Sequence, residues 1–234
     1  MGSFLGALAA RWPALDRSFL VGRSRCPACG AGLGWRETVP VWSWLRQRGR
    51  CRHCGAAIGW QPLLAELLGA VVPLVAWLTL APPEALVLTL VGWWLLLLAL
   101  VDVAHGRLPD LLTLPLLAAG LALAALAPLL GLARPLDSGL GAVLGFLLFW
   151  ACGRLYLAWR GRHGLGLGDA KLLAALGAWL GVAGLAPAIL VAALGALAFA
   201  LGSGLRRLQD AVAFGPWLAL AGGGLLWWRL WSLA

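Results

Sequence analysis

Four of the five cysteines fall in two matching turns, Cys26-Pro-Ala-Cys29-Gly and Cys51-Arg-His-Cys54-Gly, with 21 residues between them. A CxxC turn aims two thiolates at one ion, and the glycine relieves the backbone where it doubles back. Two such turns complete a tetrahedral four-thiolate site, for which Zn²⁺ is the usual occupant. A redox dithiol needs only one CxxC, in a βαβ setting. His53, inside the second turn, is a bystander where four thiols are on hand. Cys152, alone in an apolar stretch, reads as a small buried hydrophobe. A second candidate chemistry lies in the carboxylates. Of nine acidic residues, Asp16, Glu37, Glu84, Asp137 and Asp210 read as solvated loop charges. Glu66, Asp102, Asp110 and Asp169 instead stand at the edges of long apolar runs, where an ionisable group is costly and therefore a functional candidate. Asp169 closes a glycine run, Gly164-Leu-Gly166-Leu-Gly168-Asp169-Ala-Lys171.

The elements that position these groups follow from composition. The chain has 234 residues, 62% hydrophobic and 12% charged, with a mean hydropathy of +0.90. Soluble domains run near 45–50% apolar and about 25% charged, so both a soluble globular domain and a disordered chain are excluded. The fold class that remains is an all-α polytopic membrane protein, because hydrocarbon requires every backbone group to be satisfied internally. Spans are expected near 63–81, 85–104, 110–131, 139–158, 169–184, 186–204 and 212–232, in a bundle of about seven to eight helices. Breaks fall at Pro82-Pro83, at residues 105–110, 133–137 and 159–168, at Gly184-Leu185, and at Arg206-Arg207. Leu and Ala fill the spans, and frequent Gly allows close helix contacts.

Three regions result: residues 1–12, a truncated first transmembrane helix; 13–62, a polar four-cysteine zinc-binding domain; and 63–234, the membrane domain. Residues 1–12 lack the basic start and cleavage site of a signal peptide. Net charge is +9, and nine of the 18 Lys and Arg precede residue 53. Placing that segment in the cytoplasm puts Arg107, Arg160, Arg162, Lys171, Arg206 and Arg207 on the same side, as the positive-inside rule requires. Nucleic acid is not an expected partner. The expected partner of the Arg-rich surface is the bilayer, through its anionic headgroups. Cytoplasmic thiols stay reduced, which favours metal over disulfides. Zinc would supply the small loop domain with the stability that its own core cannot.

On this topology Asp102 and Asp169 both lie at cytoplasmic helix ends, at similar depth. Two carboxylates that meet cannot both ionise freely, and one protonated beside one ionised is the arrangement by which aspartic proteases activate water. Two unrelated helix-end charges facing water satisfy the same pattern equally well. Gly166 and Gly168 let backbone approach a substrate strand or a neighbouring helix. A nucleotide loop would need a strand before the glycines and a soluble βαβ unit around them. Asp110, after Pro109, is expected as a helix N-cap. Glu66 either favours the positive N-terminus of its helix or contacts substrate. Arg107 and Lys171 either tune the aspartates or anchor the positive-inside topology.

Taken in order, the motifs resemble those of the type IV prepilin leader peptidases, including those that serve type II secretion. The matching stretches are Gly2-Ser3-Phe4-Leu5, the paired CxxC turns, Val39-Pro40-Val41-Trp42-Ser43-Trp44-Leu45, and Glu66-Leu67-Leu68. They continue with Asp102, the LPD-x-LTLP stretch from Leu108 to Pro115, and the GxGD motif with its trailing KLL, Gly166 to Leu173. The resemblance implies a bacterial inner-membrane aspartic endopeptidase of about eight spans, with its active site toward the cytoplasm. Asp102 and Asp169 would be the catalytic pair, supported by Gly166, Gly168, Lys171 and Glu66. Cys26, Cys29, Cys51 and Cys54 would hold a structural zinc ion. Substrates would be prepilins or pseudopilins, cut after a leader glycine. The new terminus would often be N-methylated from S-adenosylmethionine, for which no binding residues are readable.

Two departures stand out. Met1 directly precedes Gly-Ser-Phe-Leu where the family has a full helix, which points to a downstream start or a shortened first helix. Trp60-Gln61-Pro62 replaces the family's Arg-Tyr-Pro. The rival reading is a non-enzymatic membrane scaffold or transporter with a zinc-ribbon loop. It leaves the two aspartates and the glycine run without a purpose.

Overall fold

A computed structural model describes residues 6, 8–9, 12, 26, 28–34, 42–126, 133–161, 164–203 and 213–232. Among the described residues there are eight helices: α1 (Trp42–Arg46), α2 (Gln61–Thr79), α3 (Pro82–His105), α4 (Asp110–Leu126), α5 (Pro135–Arg160), α6 (Leu167–Leu180), α7 (Val182–Gly202) and α8 (Gly215–Trp231). An isolated bridge joins Arg50 and Ala57. Helices α2 to α8 fall on the seven expected apolar segments. Four of them, α2, α3, α5 and α7, are long and apolar enough to cross a membrane on their own. Many of their outward side chains, such as Leu78, Leu155 and Leu201, are large, apolar and exposed. A hydrocarbon surround makes such a surface tolerable.

Prolines punctuate the bundle as expected. Helices α2, α3, α5 and α8 each carry Pro in the first turn, where the missing N–H costs nothing. Inside α2, Pro73 cannot donate to the carbonyl of Gly69. The indole Nε1–H of Trp93 on α3 takes its place, donating to that oxygen at 2.8 Å. Trp93→Phe keeps an aromatic ring but removes the donor and leaves the carbonyl unpaired. It is expected to destabilise the fold by about 1–3 kcal/mol, read as a lower thermal midpoint in detergent.

Helix α6 departs from the expected span of 169–184. It has 14 residues, roughly 21 Å, well short of a hydrocarbon core of about 30 Å. It is buried on every face, from Leu172 to Leu180 without interruption, and packs against α4, α5, α7 and α8. Gly141 of α5 and Gly177 of α6 meet so closely that a Cβ on either would strike the other's backbone. The break before α7 comes at Gly181, with φ +72°, not at Gly184-Leu185, which lie inside α7. Asp137 drives this turn: its Oδ1 accepts the N–H of Val182 at 3.1 Å. At the same end Arg229 donates to the Leu180 carbonyl at 2.6 Å.

Asp137 is therefore no loop charge. It stands in the first turn of α5, as Glu84 does in that of α3, where a negative charge suits the helix N-terminus. Asp16, Glu37 and Asp210 lie outside the described residues. Cys152, expected to be buried, is exposed on α5. In a bilayer the outer face is as apolar as the core, so a thiol there has no reason to turn inward. Of residues 1–12 the described ones sit beside the bundle. The carbonyl of Ala9 accepts the Nε2–H of His105 at 2.9 Å, and Gly6 faces Ala65 of α2.

Candidate active site

The C-terminus of α3 and the N-termini of α4, α6 and α8 gather at one end of the bundle. Helix α3 stops at Gly106, which adopts a left-handed φ of 61° and donates its N–H to the carbonyl of Asp102 at 2.7 Å. Asp102 thus occupies the last turn of α3. It is 6% exposed and stands among few buried polar residues in the described structure. Its Oδ2 accepts the backbone N–H of Gly215, the first residue of α8, at 3.0 Å.

Asp169 is the third residue of α6, whose N-cap is Gly166. Its Oδ2 reaches back toward the Gly166 N–H at 3.4 Å, the reciprocal half of a capping box. Gly168 lies against the LPD stretch, where a Cβ would stand 2.8 Å from Cβ of Leu108. This contact seats the start of α6 against the segment that follows Asp102. Asp169 is half-buried in the first turn of α6. The two aspartates singled out from the sequence thus stand at the same end of the bundle. The glycines serve a helix contact and a helix cap.

The remaining candidates divide. Lys171 does not serve the aspartates directly: its Nζ pairs with Asp110 Oδ1 at 2.5 Å, tying α6 to α4. Asp110 is accordingly not the N-cap. The Pro109 carbonyl accepts the first helical N–H groups, from Leu112 at 3.0 Å and Thr113 at 3.1 Å, leaving the Asp110 carboxylate to Lys171. Arg107 is exposed at the surface. Glu66 is half-buried in the second turn of α2. The favourable field of a helix N-terminus fades beyond the first turn, so that explanation for Glu66 weakens. Gly215 was not among the residues singled out from the sequence. Its signal was Phe214-Gly215-Pro216, a glycine before a proline at a helix start.

The cysteine turns form a second centre. In both, the first cysteine's carbonyl accepts the N–H of the glycine after the second, Gly30 to Cys26 and Gly55 to Cys51, each at 2.9 Å. Both glycines have φ of 70°. The first cysteine's own N–H closes the turn, onto Ala31 O at 2.9 Å and Ala56 O at 2.8 Å. The four Sγ atoms lie within 4.8 Å of one another, and Cys26 and Cys54 are 3.9 Å apart. Tetrahedral Zn–S bonds of about 2.3 Å require S–S edges of roughly 3.8 Å, so the donor set fits one zinc-sized ion. The cluster consists of the four thiols, and His53 lies outside it. Backbone N–H groups of Cys29 and Ala28 hold the Cys26 thiol down to about 7, which eases its deprotonation for a metal.

Among the described residues no S-adenosylmethionine contacts are assigned. A cavity of about 790 Å³ between α5 and α7 is lined only by aliphatic residues, among them Leu144, Leu148, Val182, Leu185 and Ile189. These offer nothing to a charged sulfonium amino acid.

Residues 1–80 match the bacterial peptidase A24 N-terminal domain, and residues 89–201 match the type IV leader peptidase family. A prepilin leader peptidase/N-methyltransferase from Dichelobacter nodosus is 41% identical over 207 residues, covering 88% of this chain and 71% of that protein. The enzyme of the same name from Aeromonas salmonicida is 41% identical over 219 residues, covering 90% and 73%. That from Dickeya chrysanthemi is 42% identical over 207 residues, covering 85% and 71%. No solved structure gives a significant match. Apolar helices and relatives agree on a protein of the bacterial inner membrane, and with Asp102 and Asp169 both inside the matched segment 89–201 the chain belongs to the type IV leader peptidase family.

Proposed function

We propose that this chain is an intramembrane aspartic endopeptidase that removes the leader of type IV prepilins or pseudopilins, cutting after glycine at the cytoplasmic face. One observation carries this reading: Asp102, in the last turn of α3, and Asp169, in the first turn of α6, stand at one end of the bundle, where Gly168 packs on Leu108 just after α3. One aspartate, ionised, takes a proton from water as the oxygen attacks the scissile carbonyl carbon. The other, protonated, donates to the carbonyl oxygen. When the tetrahedral intermediate collapses, the C–N bond breaks, the leaving nitrogen receives the proton held by the first, and a hydroxyl of the intermediate returns its proton to the second. The pair titrates as one unit. Gly166 and Gly168 support it by seating the start of α6, and Glu66 is assigned to the substrate side of the same end.

The cytoplasmic assignment is supported by charge, with nine of 18 basic residues before residue 53 and Arg107 and Lys171 at the same end as the aspartates. Helices α2 to α5, α7 and α8 would cross the bilayer around the shorter, buried α6, with 1–12 the end of a first helix, 13–62 the cytoplasmic loop domain and 63–234 the peptidase domain. The four thiolates would hold a structural Zn²⁺ that fixes the loop. N-methylation of the new terminus rests on the names of the relatives, with S-adenosylmethionine as donor, and no residues are assigned to it. Incubating the purified chain with a model prepilin and S-adenosylmethionine tests both activities by mass spectrometry. The expected products are a leader ending in glycine and a mature chain heavier by one methyl group. An intact substrate would overturn the reading.

The Asp110–Lys171 pair makes a separate prediction. Because it ties α4 to the helix that carries Asp169, Asp110→Lys or Lys171→Asp should each slow cleavage about 10-fold. The double exchange should restore most of the rate, since contacting residues couple strongly.

A further inference from the structure

The group that reaches the buried carboxylate of Asp102 comes from far along the chain, beyond the segment 89–201 that matches the family model. The first N–H groups of a helix have no intrahelical acceptor. In α8 the Phe214 carbonyl receives the N–H groups of Trp217 and Leu218, and that of Gly215 goes to Asp102 Oδ2. Only glycine permits the approach, because a Cβ at 215 would stand 2.5 Å from Oδ2 and 3.0 Å from Cγ of Asp102. Both neighbours hold the glycine in place. The ring of Phe214 packs on the buried Phe149 of α5, centroids 6.0 Å apart. Pro216 presets the first turn of α8 and has no N–H to compete.

Resting on the reading of Asp102 as half of a catalytic pair, we propose that Gly215 is a positioning residue of the peptidase. Its N–H engages Oδ2, fixes the orientation of the Asp102 carboxylate, and leaves Oδ1 as the reacting oxygen. Helix α8 is thereby part of the active site. The arrangement also explains the Phe-Gly-Pro order: an anchor, a side-chain-free donor and a rigid first turn.

Gly222, two turns along the same face, supplies the control. A Cβ there would run into Leu176 of α6, disturbing the packing of α8 without touching a carboxylate. The test compares the full-length parent, Gly215→Ala, Gly222→Ala and Asp102→Asn on a model prepilin, with kcat, KM and thermal midpoint read for each. Gly215→Ala should lose about 100-fold in kcat, the scale of an ångström-sized misplacement, with KM held within about twofold. Gly222→Ala should lose thermal stability and keep kcat within about threefold. An unchanged kcat in Gly215→Ala, or equal losses in both glycine variants, would overturn the proposal while leaving the aspartate pair intact. Cleavage by Asp102→Asn would remove the pair itself, and this proposal with it.

If Gly215→Ala does not fold, amide exchange decides. The Gly215 N–H should be protected in the parent and lose that protection in Asp102→Ala, with the amides from Leu218 onward unchanged. Equal exchange of the Gly215 amide in the two proteins would overturn the proposal.

Discussion

Asp102→Asn and Asp169→Asn should each lower leader-peptide cleavage by about 10⁴-fold, while the variants insert and express as the parent does. The magnitude follows from the roles. General acid–base groups contribute 10²–10⁴ each, and groups that act as a unit lose most of their combined effect when either is removed. Asparagine preserves shape and can still accept the Gly215 N–H, so the loss reports chemistry and not packing. For Asp169 the amide keeps the reach toward Gly166 N–H at the start of α6, which makes the substitution structurally mild. Cleavage of a model prepilin by purified protein checks both. A variant that retains a tenth of the parent rate does not belong to the pair.

The largest structural effect is expected at the cysteines. Cys51→Ser with Cys54→Ser removes two of the four thiolates that surround one ion-sized space. The described loop around them contains a five-residue helix and the Arg50–Ala57 bridge. Apparent zinc-binding energies of roughly 10–16 kcal/mol in small zinc modules exceed anything such a core supplies. The parent should bind one zinc per chain by elemental analysis, and the double variant should bind almost none. Limited proteolysis should then cut the loop domain, while helices α2 to α8 stay protected in the micelle. Unchanged proteolysis in a metal-free variant would mean that the metal does not hold this segment.

The sequence carried some of this architecture openly and hid the rest for physical reasons. Cysteine spacing is local, so the two turns with φ of 70° at Gly30 and Gly55 could be read directly. Hydropathy and the positive-inside rule gave the helices α2 to α8 and the shared depth of Asp102 and Asp169. Contacts between distant segments were not legible. Asp110 looked like a cap because Pro109 precedes it, and nothing local shows that Lys171 lies across from it. Gly215 fell at the margin of an apolar run, where its value comes from a carboxylate 113 residues earlier. Apolar periodicity also cannot distinguish a lipid-facing helix from a central one, so α6 was read as an ordinary span. Cys152 misled for the same reason, since inside and outside are equally apolar in a membrane.

The central claim is that Asp102 and Asp169 perform one reaction together. Its most direct test is the cleavage rate of the Asp102→Asn, Asp169→Asn and doubly substituted proteins against the parent, under identical detergent and substrate conditions. The double variant should be no slower than either single one, because removing one partner already disables the pair. Losses that multiply in the double variant, or substantial activity in either single one, would show that the two carboxylates do not act as a unit.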